Sequence, residues 1–284
     1  MSSAADDVSK NDPTKHKAEL TGVSETALLT LYGRAREASR PDGVIDDPMA
    51  VRLIDSIDYD FSHFGSARQD MSIRAKTFDR ETLEYLRAHP DATVVALAEG
   101  LQTSFWRVDA ALPEARFRWL TVDLPPIVDI RRRLLPESPR IELCAQSALD
   151  YSWMDKVNPD DGVFITAEGL LMYLQPEQSL GLIAECAKRF PGAQMLFDLP
   201  PAWFAGLSRR GWLRPTLRYK VPAMPFSQTP TEATKLIDLP GVRAVHDIRL
   251  EPGRGLVVNG LLNLAYASKL MDPLRGVLTL LEFG

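Results

Sequence analysis

Apolar residues first recur at helical spacing over Ser24–Ala38 (SETALLTLYGRAREA), which predicts a helix with Ser24 as its cap. Asp46–Ile57 (DDPMAVRLIDSI) predicts a second helix, capped by Asp46 or Asp47 with Pro48 in its first turn. Ser66–Ala88 predicts a third, long and charged. From Thr93 the pattern changes to short apolar runs alternating with helical stretches. Thr93–Ala98, Phe117–Val122, Arg140–Ala145, Val163–Ala167 and Gln194–Phe197 predict buried strands. Helices are expected between them at Leu101–Ala111, Ile127–Leu135 and Pro176–Arg189. Such alternation predicts a mostly parallel sheet with helices on both faces. Arg243–Leu250 and Leu256–Tyr266 predict two closing strands, completing a seven-stranded α/β fold behind an N-terminal helical extension. The apolar stretch VLTLLEF in the tail has no evident place in this scheme.

Ligands of such sheets bind along the edge formed by the strand C-termini. The acids at those ends are Glu99, Asp123, Glu168 and Asp198. The first strand breaks at Ala98-Glu99-Gly100, and the second ends on Asp123, 23 residues beyond Gly100. Strand, small-residue turn, helix, strand and terminal acid describe a nucleotide-type cofactor site, the acid taking the ribose hydroxyls. Gly100 is the only glycine in the turn. A dinucleotide's pyrophosphate needs the further glycines of GxGxxG. The turn fits S-adenosylmethionine better, which has a ribose and no phosphate.

Composition narrows the classes. At 45% hydrophobic the chain buries a substantial core, and its net charge of −5 disfavours binding nucleic acid through phosphate neutralisation. No run approaches the roughly 20 apolar residues of a membrane span. Residues 1–20 are polar with no signal-peptide core, so a disordered leader and a cytoplasmic protein are expected. Cys144 and Cys186 read as buried thiols, and the four histidines show no metal spacing.

Four segments resemble the leucine carboxyl methyltransferase family, and within it the bacterial O-methyltransferases of the tetracenomycin polyketide type. Thr26–Ala50 is similar to the family's first helix and "DP-x-A" element, and Val94–Asp109 to its "LGxGLDTRxxR" loop. Trp119–Pro136 is similar to "vDLPxv…Kr.LL", and Ala167–Gln178 (AEGLLMYLQPEQ) to "EGvlmYLxxE". The resemblance implies a Rossmann-like class I methyltransferase fold, S-adenosylmethionine as cofactor and an oxygen as methyl acceptor. It carries a cofactor-binding role onto Ala98, Glu99, Gly100, Gln102 and Thr103 in the loop, and onto Asp123 and Leu124. It also carries one onto Ser147, Ala148 and Leu149 at the adenine, and onto Arg74, which matches an arginine gripping the methionine carboxylate. Three departures stand out. Ala98 replaces a glycine, Gln102-Thr103-Ser104 replaces Asp-Thr-Arg, and Ala148 replaces an acid.

Several residues carry two readings. Asp123 is a ribose acceptor or a helix cap. Arg74 is a carboxylate clamp or a solvated arginine. Glu168 accepts from the cofactor's ammonium, orients the acceptor, or caps a helix. Tyr173 points at the acceptor or packs in the core. Glu168 and Tyr173 are the candidate catalytic pair. Arg131-Arg132-Arg133 reads as a solvated helix face.

Pro200–Pro230 interrupts the rhythm with Trp203, Phe204, Trp212, Tyr219 and Phe226, five basic residues and no acid. By resemblance it is a lid over the acceptor pocket. The expected organisation is a leader (1–20), helices (21–90), a cofactor-binding core (91–200), a lid (201–232) and closing strands with a tail (233–284). A basic aromatic lid suits an anionic, partly apolar small molecule such as a polyketide or lipid-like acid. A carboxylate acceptor also needs no general base at neutral pH, and no histidine stands near a motif. Two other readings remain: a methyltransferase-fold binding protein with weak or no catalysis, motivated by Ala98 and Gln102, and a protein C-terminal carboxyl methyltransferase.

Overall fold

The computed structural model describes residues 15–284. The expected leader therefore lies mostly outside the described residues. Its last part does not: His16–Lys17 pairs in parallel with Ile57–Asp58, and Ala18 and Leu20 are buried.

The main sheet has seven strands: β1 (Thr93–Leu97), β2 (Arg118–Asp123), β3 (Ile141–Ala145), β4 (Val163–Ala167), β5 (Gln194–Leu199), β6 (Val242–Asp247) and β7 (Val277–Phe283). Their order is β3-β2-β1-β4-β5-β7-β6, and only β7 runs antiparallel to its neighbours. Strand order reverses between β1 and β4, so the crevice beyond their C-termini is where such a sheet takes a ligand. This is the Rossmann-like class I methyltransferase topology.

The two-residue period of the strands divides the core. Val94, Ala96, Trp119, Phe164 and Leu196 pack on one face with Phe78, Phe105 and Phe117. Val95, Leu97, Leu120, Val122, Ile165 and Phe197 pack on the other with Trp153, Leu182 and Phe190. Both faces are covered, which is why β1 and β4 read as continuous apolar runs.

The helices that carry the site are α1 (Thr26–Ala38), α2 (Pro48–Asp55), α3 (Asp70–Ala88), α4 (Ser104–Ala111) and α5 (Pro125–Leu134). Asp47 caps α2, its Oδ1 accepting from Ala50 N at 2.9 Å. Ser24 does not cap α1; Glu25 holds that position and makes no side-chain bond to the helix. The third helix starts at Asp70, not Ser66. After β4 and β5 follow α6 (Pro176–Arg189) and α7 (Ala202–Arg209).

The C-terminal part departs from expectation. Leu256–Ala265 is a helix, α8, and the tail segment VLTLLEF supplies the last strand, β7. The reason lies in side-chain spacing. Asn259 and Asn263 stand four apart on one helical face, and Asn259 Oδ1 and Nδ2 bond Gly253 N and O, both at 2.8 Å. In β7, Val277, Thr279, Leu281 and Phe283 are buried, as alternation requires, and the strand fits between β5 and β6. Among the described residues, no helix is long and apolar enough to cross a membrane.

Candidate active site

The turn after β1 is left-handed at two positions. Gly100 has φ +60° and Ala98 has φ +50°, the one positive φ outside glycine among the described residues. A side chain on Gly100 would stand 3.2 Å from Ala27 Cβ, so the glycine also admits α1 to the turn. Ala98 N donates to Val122 O at 2.7 Å, which fixes the turn against β2.

Asp123 closes β2 beside this turn. Its Oδ2 accepts from Gly100 N at 2.6 Å and its Oδ1 from Leu124 N at 2.7 Å. Each carboxylate oxygen keeps a further lone pair. Burial raises the Asp123 pKa to about 6, outweighing the two backbone N–H groups that favour the charged form. Leu124, not Asp123, holds the N-cap position of α5, without a side-chain bond.

Beneath the turn lies Arg131. Its Nη1 donates to the carbonyls of Gly100 at 2.9 Å and Gln102 at 2.8 Å, and its Nη2 stands 2.9 Å from Glu99 Oε2. Arg131 is 1% exposed, so it is a buried buttress and not part of a solvated face. Arg132 and Arg133 are exposed. The signal for Arg131 was present: it stands four residues after Ile127, on the buried side of α5. Glu99 Oε2 accepts from Thr121 Oγ1 at 2.5 Å, while Glu99 Oε1 is buried with no hydrogen-bond partner among the described residues.

Arg74, on α3, reaches across to the ends of β4 and β5. Its Nε donates to Glu168 Oε1 at 2.9 Å and its Nη1 to Asp198 Oδ2 at 3.1 Å. Gln102 Nε2 donates to the same Glu168 oxygen at 2.7 Å, and Gly169 N to Asp198 Oδ1 at 2.7 Å. Gly169 has φ +69°, and a side chain there would stand 3.4 Å from Arg74 Nη2. Burial pushes the Glu168 carboxyl up, against the pull of Arg74. Tyr173 is also pushed up by burial, to about 12.

These groups line one cavity of about 460 Å³. Ala98, Glu99, Gly100, Gln102, Asp123, Leu124, Ser147, Ala148, Leu149, Arg74, Glu168 and Tyr173 all contribute to its wall. Thr103 does not. It is wholly buried, and its hydroxyl donates to Asp47 at 2.7 Å. It belongs to an ionic cluster in which Arg34 Nε meets Asp47 at 3.2 Å and Arg107 bridges Asp47 to Asp79. Asp150 is also off the wall, capping the short helix after it by accepting from Ser152 N at 3.2 Å. Gln146 and Tyr219 also line the cavity, and no sequence motif marks either of them as a site residue.

The five basic residues of the 200–230 segment are likewise absent from the wall. Arg218 pairs with Asp60 at 2.7 Å, Arg209 donates to Met224 O at 3.0 Å, and Arg210 lies over the Trp212 ring. What this segment presents to the cavity is Phe204, Tyr219, Val221 and Met224. Among the described residues Arg74 is the one cation on the wall, beside Glu99, Asp123, Glu168 and Asp198.

The donor set fits S-adenosylmethionine. Arg74 Nη2, without a hydrogen bond among the described residues, suits a carboxylate. The orphaned buried oxygens Glu99 Oε1 and Gln102 Oε1 suit an ammonium. Asp123 suits a ribose, and Leu124, Ala148 and Leu149 put apolar side chains on the same wall, which suits adenine.

Comparison with known proteins agrees. Residues 27–187 match the family model "Leucine carboxyl methyltransferase". The chain is 35% identical over 187 residues to the tetracenomycin polyketide synthesis O-methyltransferase TcmP of Streptomyces glaucescens, covering 65% of this chain and 68% of that one. It is 28% identical over 207 residues to the S-adenosyl-L-methionine-dependent methyltransferase dpfgK of Gibberella zeae, covering 66% and 69%. A crystal structure of a putative methyltransferase from Thermobifida fusca superposes with TM-score 0.54 at 16% identity, over 98% of this chain and 96% of that one, which is a likeness of fold. With a family model spanning more than half of the chain and a cavity whose donors match the cofactor, this chain belongs to the leucine carboxyl methyltransferase family and is an S-adenosylmethionine-dependent methyltransferase.

Proposed function

We propose that the chain methylates a hydroxyl oxygen of a small, largely apolar, uncharged acceptor. One observation carries this reading: the stretch after β4 and the 200–230 segment contribute Leu170, Met172, Phe204, Tyr219, Val221 and Met224 to the cavity wall, with no basic residue among them. The expectation of a carboxylate acceptor rests on two grounds, the lack of a histidine base near any motif and the basic lid. The lid's charges lie off the wall, which removes the second ground and leaves the first standing. Among the described residues, the cavity's four acids face a single arginine that already serves two of them. The naming of the Streptomyces relative as an O-methyltransferase of polyketide synthesis supports an oxygen acceptor of this kind.

The residues divide the work as follows. Asp123 takes the ribose hydroxyls, and Leu124 with Ser147, Ala148 and Leu149 flanks the adenine. Arg74 holds the methionine carboxylate, and Glu99 and Gln102 accept from its ammonium. Held by these residues, the cofactor would supply a methyl group already activated on a sulfonium, to be passed to the acceptor oxygen with the thioether as leaving group. Glu168, made more basic by burial, takes the proton from the acceptor hydroxyl. Tyr173 stays protonated and donates to the acceptor oxygen, orienting it in line. The apolar wall excludes water from the nucleophile.

Labelled methyl transfer to uncharged phenols and to aromatic carboxylic acids tests the reading. The expected product is a base-stable ether from the phenols. Label found only in base-labile esters would overturn it.

A further inference from the structure

Helix α8 turns apolar side chains to solvent. A surface helix normally buries its apolar stripe and shows polar side chains to water. In α8 no residue is buried: Leu256 is 92% exposed, and Val257, Leu261 and Leu264 on the same face are exposed with it. No charged residue occurs from Gly255 to Ser268. The apolar surface continues beyond the helix. α8 packs on the short helix Lys269–Leu274, where Leu270 is 87% exposed. That helix packs in turn on α7, whose exposed Trp203 donates from Nε1 to Leu274 O at 3.2 Å. Apolar residues scattered singly over a surface are ordinary, but a connected patch of this kind marks a binding surface.

From α7 the patch runs into the cations of the 200–230 segment. Arg209, Arg210, Arg214, Arg218 and Lys220 are all exposed, and the segment has no acid, in a chain whose net charge is −5. Among the described residues only Arg218 of the five has a carboxylate partner, Asp60. Two large apolar side chains stand among these cations: Trp212 is 69% exposed, with Arg210 over its ring, and Leu217 is 98% exposed. Across residues 252–276 the one acid is Asp272, which Arg275 already holds at 3.2 Å. The segment's inner side chains, Phe204, Val221 and Met224, line the cavity. The cations and the protruding apolar groups are thus the outer side of the same wall.

We propose that this face docks on an anionic lipid bilayer, with α8, Leu270, Trp212 and Leu217 entering the interfacial layer and the cations of the 200–230 segment pairing with headgroups. Charge complementarity selects the occupant. A second copy joined face to face would set these cations against a patch whose single acid is already paired. An anionic bilayer supplies the missing negative charge. It also takes in protruding leucines and a tryptophan without the matching pocket that a protein partner has to provide. Outside the 200–230 segment acids outnumber bases, so the same lipid charge repels the rest of the chain and orients it. Docking sets one wall of the cavity against the lipid, a reservoir of apolar molecules. The proposal holds whichever oxygen of the acceptor is methylated.

Sedimentation of the full chain with vesicles tests this, using phosphatidylcholine alone and phosphatidylcholine mixed with phosphatidylglycerol. The protein should bind the mixed vesicles, leave the neutral ones in solution and be released by salt. Arg214→Gln with Lys220→Gln should weaken binding about 30-fold. Leu256→Ser with Leu261→Ser should weaken it about tenfold or more. Both double variants should keep the wild-type affinity for S-adenosylhomocysteine, because all four residues lie off the cavity wall. No binding to mixed vesicles, equal binding to both kinds, or binding indifferent to either double variant overturns the proposal. Loss of S-adenosylhomocysteine affinity in the leucine variant marks a structural face and also overturns it. A dimer that the leucine variant dissolves, in a protein that ignores vesicles, makes a second copy the occupant instead. Polyglutamate bound as tightly as the mixed vesicles makes it an acidic protein.

Discussion

Gly100 N donates to Asp123 Oδ2 across 2.6 Å, so the turn after the first strand and the acid ending the second form one unit. The unit has a protonation state of its own, because burial raises Asp123 to a pKa of about 6. Ribose hydroxyls donate to the ionised form. Cofactor affinity is therefore full above the pKa and lost as pH falls through it. Calorimetric titration with S-adenosylhomocysteine should show about tenfold weaker binding at pH 5 than at pH 7. Asp123→Asn should bind weakly with no such pH dependence. An unchanged wild-type affinity across this range would remove Asp123 from the ribose.

Ala98 occupies a left-handed conformation, φ +50°, that costs a residue with a Cβ about 1 kcal/mol or more. Ala98→Gly relieves it, offset in part by the greater freedom of glycine in the unfolded chain. The net expectation is a stabilisation of about 0.5–1 kcal/mol, read as a rise of about 2 °C in the melting temperature. Cofactor binding should be retained or tightened. A fall in melting temperature would mean that the methyl group contributes packing that outweighs the strain.

Arg74 meets Glu168 through Nε and Asp198 through Nη1, which leaves Nη2 for a ligand. A lysine keeps the charge and loses the fork. Arg74→Lys should therefore remain folded and bind S-adenosylhomocysteine about 10–100-fold more weakly, the loss expected for a charge-assisted bond. Near-normal affinity in a folded Arg74→Lys protein would count against the carboxylate clamp.

Asp47 and Arg34 are both wholly buried and pair at 3.2 Å, with Arg107 and Thr103 also bonded to Asp47. Removing one member of such a network leaves an uncompensated buried charge. Asp47→Asn should lower stability by about 3–5 kcal/mol in denaturant titrations. Arg34 Nη2 also donates to Leu101 O at 2.6 Å, so the cofactor turn should loosen as well, with weaker binding in the protein that remains folded. A loss below about 1 kcal/mol would show that the cluster is replaceable.

Much of this site could be read from the chain because its elements are periodic and its acids end strands. Asp123 and Glu168 fall where a strand stops, and Val94 and Val95 go to opposite faces because a strand alternates. Residues satisfied over long separations were harder to read. Thr103 sits beside the cofactor turn in sequence, yet its hydroxyl turns to Asp47, 56 residues earlier. Arg131 looked like one of three solvated arginines, and only its helical offset from Ile127 distinguishes it. The basic residues of the 200–230 segment suggested an anion, but charge composition does not say which way a side chain points. Helix α8 was mistaken for a strand because its apolar residues mask the Asn259–Asn263 spacing.

A crystal structure with S-adenosylhomocysteine tests the account at its centre. The expected result places both ribose hydroxyls within hydrogen-bond distance of the Asp123 carboxylate and the methionine carboxylate at Arg74. The sulfur should face the chamber lined by Tyr173, Phe204 and Tyr219. Binding with the ribose away from Asp123, or with the sulfur turned from that chamber, would contradict it.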